Sequence, residues 1–542
     1  MNNKKMSVAD FFCGAGGFSE GFRQEGFEIK YAMDNWKPAI ETHELNHPNC
    51  INDLRDILEL KTPKEIDNIV PDTDIIVGSP PCVAFSGSNK AGKADKSLGV
   101  ELIKTYLRIV AWKKKKGVLK YWILENVPNS GNYIKDKYTW EELGLQGKGI
   151  ALIIKRRNIL NSANYGAPQT RQRFVCGDYP EPIITNNKSK WITMKTVMNE
   201  LGNPLESNKV KKIIEDPVHK FKLESSELTD HFYDSTIPEF EWKKARRLKE
   251  DHGFMGKMSF PEYLDRPSRT VMATMSSSTR EAIIFQAIKN GKNIGYRAPT
   301  IREVATFMGF PINYQFSGNN ETTKYKQVGN AVCVPMSSAL AKAIKKAENI
   351  NDEGYIKLPK IDVPFNLNNI KKSKKYPNPR RDDAKFAVHI PYLKMNSFRV
   401  ELSNKFSNFK SNKIIWKSIL HSGTGKNAKI FEITQKDIQK ILNKESNFNK
   451  LKEKTKTEFK NVKLNHKQLQ DNYSLNQEKI FNPDYALEIM KKIIDEIYPS
   501  SKYDDVYFDT SVLSNKIDRK EIPLRIVAGL YVCNYFVEIL SN

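Results

Sequence analysis

The chain has 542 residues and carries 87 Lys or Arg against 63 Asp or Glu, a formal net charge of +24. Its length predicts two to four domains, and a hydrophobic fraction of 39% excludes a wholly disordered chain. The positive excess favours a polyanionic partner, although a Lys- and Asn-rich composition would also produce it. We expect no membrane-spanning helix, since no run of about 18 apolar residues occurs. The six scattered cysteines contain no Cys-x-x-Cys pair, which argues against a disulfide scaffold and a zinc site.

Short apolar runs alternate with helical patterns from Ser7 to about Asp178, which predicts a parallel α/β sheet. Apolar periodicity predicts a helix over Val100–Trp112. Thr300 and Glu303 have the spacing of a capping box, which predicts that a helix begins there, and another is predicted from Met336 to about Ala347. The candidate strands are, in chain order, Val8–Phe12, Glu28–Met33, Ile75–Val77, Tyr121–Leu124 and Arg173–Cys176.

A glycine-rich turn follows the first strand, in Asp10-Phe-Phe-Cys-Gly-Ala-Gly-Gly17. Glycines let the backbone approach a ligand closely and place it at the N-terminus of the next helix. The second strand ends in Asp34, and an acid at such a strand tip commonly binds ribose hydroxyls. Asp53 is a candidate third ligand, directed at an adenine amino group. Taken singly, either aspartate is equally suited to capping a helix.

Three further motifs carry candidate catalytic residues, and the first two follow strands and should meet at the carboxyl edge of the sheet. The loop Gly78-Ser-Pro-Pro-Cys82 is stiffened by two prolines, and Cys82 is either a nucleophile or a buried structural cysteine. Glu125 ends an apolar strand and is a candidate proton donor. Arg171 and Arg173 share one strand face and suit a phosphate or carboxylate, although a surface ion pair would look the same.

In this order the motifs resemble those of the cytosine-C5 DNA methyltransferases that use S-adenosylmethionine. The resemblance covers residues 7–178 and about 296–345. It implies a Rossmann-like α/β methyltransferase sheet with a smaller target-recognition domain, followed by a C-terminal α+β extension. The motifs that carry it are Phe12-x-Gly14-x-Gly16-Gly17, Pro81-Cys82, Glu125-Asn126-Val127, Gln169-x-Arg171-x-Arg173, Arg302-Glu303 with Met308-Gly-Phe-Pro311, and Gln327-Val-Gly-Asn330-Ala-Val332.

The resemblance implies a catalytic role for each motif. Cys82 would attack C6 of a flipped cytosine while Glu125 hydrogen-bonds or protonates N3, which makes C5 electron-rich enough to accept a methyl group. Arg173 and Arg171 would hold the flipped nucleotide or polarise its O2. Asn126 would help to position Glu125. No metal is needed for this chemistry.

The resemblance also implies a binding site for S-adenosylmethionine. Phe12 would stack near the adenine, Asp34 would bind the ribose, and Asp53 would bind the adenine amino group. Many family members have Glu at the position of Asp34, and the shorter acid can still accept a hydroxyl hydrogen bond. The remaining residues of the predicted pocket are Gly14, Gly16, Gly17, Pro81, Leu102 and Asn330.

The resemblance also implies a division of the chain into domains. Residues 1–179 and 296–350 would form the catalytic core, 180–295 the variable target-recognition region, 351–383 a linker, and 384–542 an accessory domain. Within the variable region, the basic run Trp242-Lys-Lys-Ala-Arg-Arg247 suits either phosphate contacts or a solvated helix. In the accessory domain, a hairpin turn is the better interpretation of His421-Ser-Gly-Thr-Gly-Lys426, and helices are predicted over Gln435–Lys444 and Tyr485–Ile497.

The sequence therefore predicts a monomeric, sequence-specific DNA cytosine-C5 methyltransferase of the bacterial cytoplasm, associated with the nucleoid. Its partner would be double-stranded DNA, and a companion restriction endonuclease is a candidate partner. Alternatives are a tRNA cytosine-C5 methyltransferase, a methyltransferase fused to a nuclease-like domain, and a catalytically idle DNA-binding protein. The run Ser79-Pro-Pro also resembles the loop of cytosine-N4 methyltransferases, but Cys82 and Glu125 favour C5 chemistry.

Overall fold

Two compact units make up the chain in the computed structural model. The described residues are 5–81, 96–252, 256–351, 355–358, 366–367, 377–423, 428–477, 480–509 and 521–541. The first unit comprises Met1–Ile237, Pro261–Ser277 and Glu281–Lys372, and the second comprises Pro238–Phe260, Ser278–Arg280 and Ser373–Asn542. The predicted variable region at 180–295 is therefore shared between the two units, because its segment 238–260 groups with the C-terminal residues.

The first unit is built on a seven-stranded sheet in the order β3-β2-β1-β4-β5-β9-β8. The strands of this unit are β1 (Ser7–Phe11), β2 (Glu28–Asp34), β3 (Ile51–Leu54), β4 (Ile75–Gly78), β5 (Tyr121–Asn126), β6 (Lys137–Thr139), β7 (Ile150–Ile153), β8 (Arg156–Asn161), β9 (Gln172–Asp178), β10 (Ile213–Glu215), β11 (Lys222–Glu224), β12 (Phe285–Lys289) and β13 (Lys292–Arg297). The helices along the chain as far as residue 347 are α1 (Gly17–Gln24), α2 (Lys37–Asn46), α3 (Pro63–Ile69), α4 (Ser97–Lys115), α5 (Met194–Leu201), α6 (Glu239–Glu250), α7 (Ile301–Phe307), α8 (Glu321–Asn330) and α9 (Val334–Ala347). Of these helices, α6 belongs to the second unit.

The strand order confirms the predicted Rossmann-like α/β fold, with one correction. Strands β1 to β5 are parallel, as helical crossovers require, whereas β9 and β8 run antiparallel at one edge. The connection between β8 and β9 is too short for a crossover, since it contains little more than a 3-10 turn at Ser162–Tyr165. Strands β3 and β8 were not predicted, because these edge strands mix polar and apolar residues and lack a continuous apolar run.

The predicted start of α7 is confirmed. The Thr300 hydroxyl accepts a hydrogen bond from the backbone N–H of Glu303 at 3.2 Å, and the Glu303 carboxylate accepts one from the N–H of Thr300 at 2.8 Å. Each side chain thus satisfies a backbone donor that the first turn of a helix leaves open.

Ile356 and Leu367, in the first half of the predicted linker, are bonded to the first unit, whereas residues 377–383 belong to the second unit, where the N–H of Arg380 donates to the carbonyl of Ser474. The Arg23 guanidinium donates to the carbonyl of Ile356 at 2.9 Å, and the N–H of Leu367 donates to Asp230 at 2.9 Å. Asp230 in turn forms a buried ion pair with Lys324 at 2.8 Å. Ile356 and Leu367 therefore extend the core of the first unit and do not act as a free tether.

The second unit is an α+β fold, as predicted. Its four-stranded antiparallel sheet has the order β14-β15-β16-β17. The strands are β14 (Ala387–Met395), β15 (Phe398–Ser403), β16 (Lys417–Ser422), β17 (Lys429–Phe431), β18 (Tyr507–Asp509) and β19 (Glu521–Pro523), and the helices after α9 are α10 (Gln435–Leu442), α11 (Phe448–Phe459), α12 (His466–Leu475), α13 (Pro483–Ile497), α14 (Ser500–Tyr503) and α15 (Leu524–Ser541). Strands β16 and β17 pair as a hairpin requires, while residues 424–427 of the predicted turn lie outside the described residues.

Helix α15 shows that the sequence does contain a predominantly apolar stretch of 18 residues, contrary to the expectation from the sequence. By length and composition it is apolar enough to cross a membrane, with a mean hydropathy of 1.4 over 18 residues. However, 67% of that window is buried, and residues such as Leu530, Cys533 and Phe536 lie in the core of the second unit. Burial among other helices explains the apolar composition of α15 as that of a core helix.

Helix α6 is held in the second unit by contacts with β14. The Arg247 guanidinium donates to the carbonyl of His389 at 2.7 Å. Asp251, at the end of α6, accepts from the N–H of Tyr392 at 2.7 Å and lies 3.0 Å from the imidazole of His389. The basic helix predicted within the variable region therefore folds as part of the C-terminal extension.

Candidate active site

The ends of β1, β4 and β5 bring three of the predicted motifs together. In the parallel ladders Gly78 pairs with both Phe11 and Leu124. The residues that follow these partners, Phe12, Ser79 and Glu125, therefore lie side by side at the carboxyl edge of the sheet. This is the edge at which open α/β sheets bind ligands.

The Glu125 carboxyl group is held at both of its oxygens. Ser79 Oγ donates a hydrogen bond to Oε2 at 2.6 Å, and Arg173 Nε lies 2.9 Å from Oε1 in an ion pair. The Glu125 residue is only 3% exposed, so these contacts are shielded from bulk water. The structure thus brings Glu125 and Arg173 into contact, which the sequence did not predict, and adds Ser79, which had been noted only for its likeness to another enzyme class.

The hydrogen bonds of the Asn126 side chain go to backbone groups, which differs from the expected link to Glu125, and its catalytic role stays a prediction. Its Nδ2 donates to the carbonyl of Pro80 at 3.0 Å, and its Oδ1 accepts from the N–H of Val127 at 2.8 Å. The side chain therefore fixes the backbone of the loop that leads to Cys82. Pro81 is exposed at the end of the described part of this loop, and Cys82 itself lies outside the described residues.

Arg171 contacts backbone carbonyl groups, which also differs from the prediction. Its guanidinium donates to the carbonyls of Val271 at 2.9 Å, Gly329 at 2.9 Å and Ala331 at 3.2 Å. The residue is only 3% exposed. A guanidinium engaged in this way holds two distant backbone segments together, and Arg173 is the arginine of the pair that faces Glu125.

The segment around Ser268 and Val271 joins the predicted variable region to the catalytic core. The Gln169 side chain accepts from the N–H of Val271 at 3.1 Å, and the N–H of Thr170 donates to the carbonyl of Ser268 at 2.9 Å. Gly329 allows this approach, because any side chain there would clash with the backbone of Met272. Gly329 and Gln169 both lie in motifs noted in the sequence, but no neighbouring residue in the sequence identified their partners.

The glycine-rich turn adopts the backbone geometry that its composition predicted. Gly14 and Gly16 have φ values of 53° and 82°, in the left-handed region that favours glycine. A Cβ atom at Gly14 would meet no atom of the described residues within 4 Å, so the turn is open at this point in the described structure. Gly17 instead packs against the backbone of Val332. Phe12 shares the left-handed conformation, with φ of 55°, and is partly buried.

The predicted ribose ligand Asp34 lies directly beside this turn. Its Oδ2 accepts from the N–H of Gly14 at 2.9 Å, and its Oδ1 accepts from the N–H of Trp36 at 2.9 Å. Burial raises the pKa of Asp34, and the two backbone donors act in the opposite direction. The aspartate therefore orders the turn, while each oxygen keeps a further lone pair for a ligand.

Asp53 lies on β3, next to the strand that carries Asp34. Its Oδ2 accepts from the Tyr31 hydroxyl at 2.7 Å and from Arg55 Nε at 3.0 Å. Leu102, on α4, packs against the same apolar cluster as Phe12, and Asn330 is exposed at the end of α8. An open glycine turn with carboxylates on the next two strands fits a ligand that has a ribose and an adenine.

A buried network of polar side chains, which the sequence did not reveal, connects the elements around the glycine-rich turn. Ser19 donates to Asp10 at 2.7 Å, His43 Nε2 lies 2.8 Å from the Ser19 hydroxyl, and His43 Nδ1 lies 2.5 Å from Asn52. Burial raises the pKa of Asp10 to about 7 and lowers the pKa of His43 to about 4. This network links β1, α1, α2 and β3, and so connects the glycine-rich turn to the strand that carries Asp53.

The chain is similar to known proteins over its first 346 residues. Residues 6–346 match the family model described as C-5 cytosine-specific DNA methylase. The type II methyltransferase M.MthTI of Methanothermobacter thermautotrophicus is 29% identical over 365 residues, which covers 63% of this chain and 97% of that protein. The type II methyltransferase M.NgoPII of Neisseria gonorrhoeae is 28% identical over 358 residues, covering 63% and 96%. Among solved structures, a Spodoptera frugiperda DNMT2 variant has a TM-score of 0.41 and 17% identity, covering 63% of this chain and 99% of that chain.

Proposed function

Because the chain belongs to the C-5 cytosine-specific DNA methylase family, and so is a DNA cytosine-5 methyltransferase that uses S-adenosylmethionine, we propose that Cys82, Glu125 and Arg173 perform its chemistry. The observation that supports this assignment is the convergence of Ser79, Glu125 and Arg173 beside the loop that leads to Cys82. Glu125 is buried, oriented at both oxygens, and placed at the ligand-binding edge of the sheet.

Each residue has a defined task in the proposed reaction. The Cys82 thiolate adds to C6 of a cytosine that has left the base stack, and Glu125 hydrogen-bonds or protonates N3. Electron density then rises at C5. When bound, S-adenosylmethionine supplies an electrophilic methyl group. Loss of the C5 proton to a base releases Cys82 and restores the aromatic ring. Arg173 orients Glu125 and contacts the flipped nucleotide.

The proposed cofactor site is formed by the glycine turn and the two strands beside it. Phe12 would pack on the adenine, Asp34 would accept from the ribose hydroxyls, and Asp53 would accept from the adenine amino group. Gly14 would let the backbone approach the ligand, since its Cβ position is open. The same site would include Gly16, Gly17, Pro81, Leu102 and Asn330.

The biological setting we propose is a restriction–modification system, with double-stranded DNA as the substrate. Two relatives of similar length to residues 6–346 are called type II methyltransferases, which supports this setting. The enzyme would act in the cytoplasm as a monomer on nucleoid DNA, and protect it from a companion restriction endonuclease.

Trapping with 5-fluorocytosine in duplex DNA tests the catalytic assignment. When S-adenosylmethionine is supplied and C5 has been methylated, fluorine cannot leave as a proton does, so the adduct through Cys82 should accumulate and survive denaturing electrophoresis. Cys82→Ala should form no adduct and give no turnover, while binding of S-adenosylhomocysteine persists. Methylation by Cys82→Ala, or methyl transfer to tRNA in preference to DNA, would contradict the proposal.

A further inference from the structure

Ser79 has a backbone position that the sheet itself fixes. Its N–H donates to the carbonyl of Phe11 at 3.2 Å, which extends the β1–β4 ladder by one residue. The preceding Gly78 packs against the ring of Tyr106, and the hydroxyl of Tyr106 donates to the carbonyl of Ile123 at 2.7 Å. Ser79 therefore presents its side chain to the end of β5 from a rigid support.

We propose that Ser79 is the positioning residue of Glu125, and that it holds the carboxyl group in both of its protonation states. This inference rests on the proposed function of Glu125. It is carried by the 2.6 Å hydrogen bond from Ser79 Oγ to Oε2, on a side chain that Arg173 contacts at the other oxygen. Oε1 lies 2.9 Å from Arg173 Nε but accepts no hydrogen bond in the described residues, so the hydrogen bond from Ser79 is the directional contact that orients the carboxyl group.

Ser79 and Arg173 differ in what they can do when Glu125 gains a proton. A guanidinium has donors only, and its attraction to the carboxyl group falls when the negative charge is lost. A hydroxyl has one donor and two acceptor lone pairs, so Ser79 can donate to an ionised Oε2 and accept from a protonated one. Glu125 is expected to exchange a proton with the cytosine ring in each turnover. Ser79 is the contact that persists through both stages.

The test compares Ser79→Ala and Ser79→Thr by single-turnover and steady-state methylation of duplex DNA. Loss of a hydrogen bond to a charged group should lower the methyl-transfer rate of Ser79→Ala about tenfold or more. The KM values for DNA and S-adenosylmethionine should stay within about twofold, because the Ser79 hydroxyl is directed at Glu125 and acts through it. Ser79→Thr keeps the hydroxyl and should recover most of the rate.

Ser7→Ala is the matched control. Ser7 also donates its hydroxyl to a carboxylate, that of Asp74 at 2.9 Å, but at the opposite end of β1. This variant loses a hydrogen bond of the same chemical kind and should keep the wild-type rate. The pair Ser79→Thr and Ser79→Val is nearly identical in shape, so it isolates the hydroxyl group if Ser79→Ala folds poorly.

A double-mutant cycle with Glu125→Gln separates positioning from a general packing effect. Ser79→Ala should cost nothing further in the Glu125→Gln background, because the carboxylate through which Ser79 acts is gone. An equal loss of methyl-transfer rate in both backgrounds, or a full wild-type rate for Ser79→Ala, would overturn the positioning role of Ser79 and leave the proposed function intact. A wild-type enzyme unable to methylate C5 would instead overturn the proposed function, and this role with it.

Discussion

Asn126 Nδ2 donates to the carbonyl of Pro80 at 3.0 Å, two residues before Cys82. The strand that delivers Glu125 therefore also anchors the loop of the proposed nucleophile. An anchor of this kind matters for catalysis because covalent attack depends strongly on the placement of the reacting groups.

Substitution Asn126→Ala should slow adduct formation with 5-fluorocytosine DNA by about tenfold, since a lost side-chain hydrogen bond costs roughly 1–1.5 kcal/mol. Affinity for S-adenosylhomocysteine should change little, because Asn126 lies outside the proposed cofactor site. Stopped-flow trapping and calorimetry would measure the two quantities. A variant that lost cofactor affinity and kept its rate of adduct formation would show that the anchor serves another site.

Glu125→Gln should lower the chemical rate by about 10²–10⁴-fold, the range expected for loss of an acid–base group. The amide keeps the shape of the side chain, so DNA affinity should hardly change. Single-turnover methylation and fluorescence anisotropy on the same duplex would compare the two effects. If affinity fell and the rate did not, the acid role of Glu125 would be wrong.

Asp10 should make the stability of the first unit depend on pH. Burial raises the pKa of Asp10 to about 7, above its value of about 3.9 in an unfolded chain. The folded state then binds more protons between these values, so this contribution to stability is complete below about pH 4 and is lost as pH rises through 7.

The variant Asp10→Asn cannot ionise and should lack this slope, which is at most about 1.4 kcal/mol per pH unit. His43 has a pKa lowered to about 4 and titrates with the opposite sign, so only the difference between wild type and variant reports on Asp10. Urea unfolding at pH 5, 6, 7 and 8 would give that difference. Parallel pH curves for the two proteins would contradict the assignment.

Deletion of residues 373–542 should weaken DNA binding and flatten its salt dependence. The deletion removes β14, to which α6 is bonded through Arg247 and Asp251. Helix α6, the basic helix of the variable region, then loses the strand against which it folds. Fewer phosphate contacts release fewer counterions, which lowers the slope of log K against log salt. Anisotropy titrations between 50 and 200 mM salt, about the range in which such contacts dominate, would measure it.

Cofactor binding is the internal control for this deletion, because every proposed cofactor residue lies in the first unit. Retained binding of S-adenosylhomocysteine would show that the first unit remains folded. An unchanged salt slope together with unimpaired methylation would mean that the extension serves a partner other than DNA.

The sequence by itself determined the features that depend on neighbouring residues. The apolar runs gave five strands of the sheet, the spacing of Thr300 and Glu303 gave the start of α7, and the glycines after β1 gave the open turn. The order of the motifs then gave the enzyme class through its resemblance to a known family. These features follow from local periodicity, capping and backbone conformation, which a single segment specifies.

Only the tertiary structure decided which side chains meet. Arg171 and Arg173 look equivalent in the sequence, yet one binds carbonyls 100 and 158 positions away and the other faces Glu125. Asn126 contacts the loop of β4 and not its neighbour, and α6 folds with the C-terminal extension. The reason is physical: a buried polar group bonds to whatever the packed chain brings within about 3 Å, and that choice is made by contacts between distant segments.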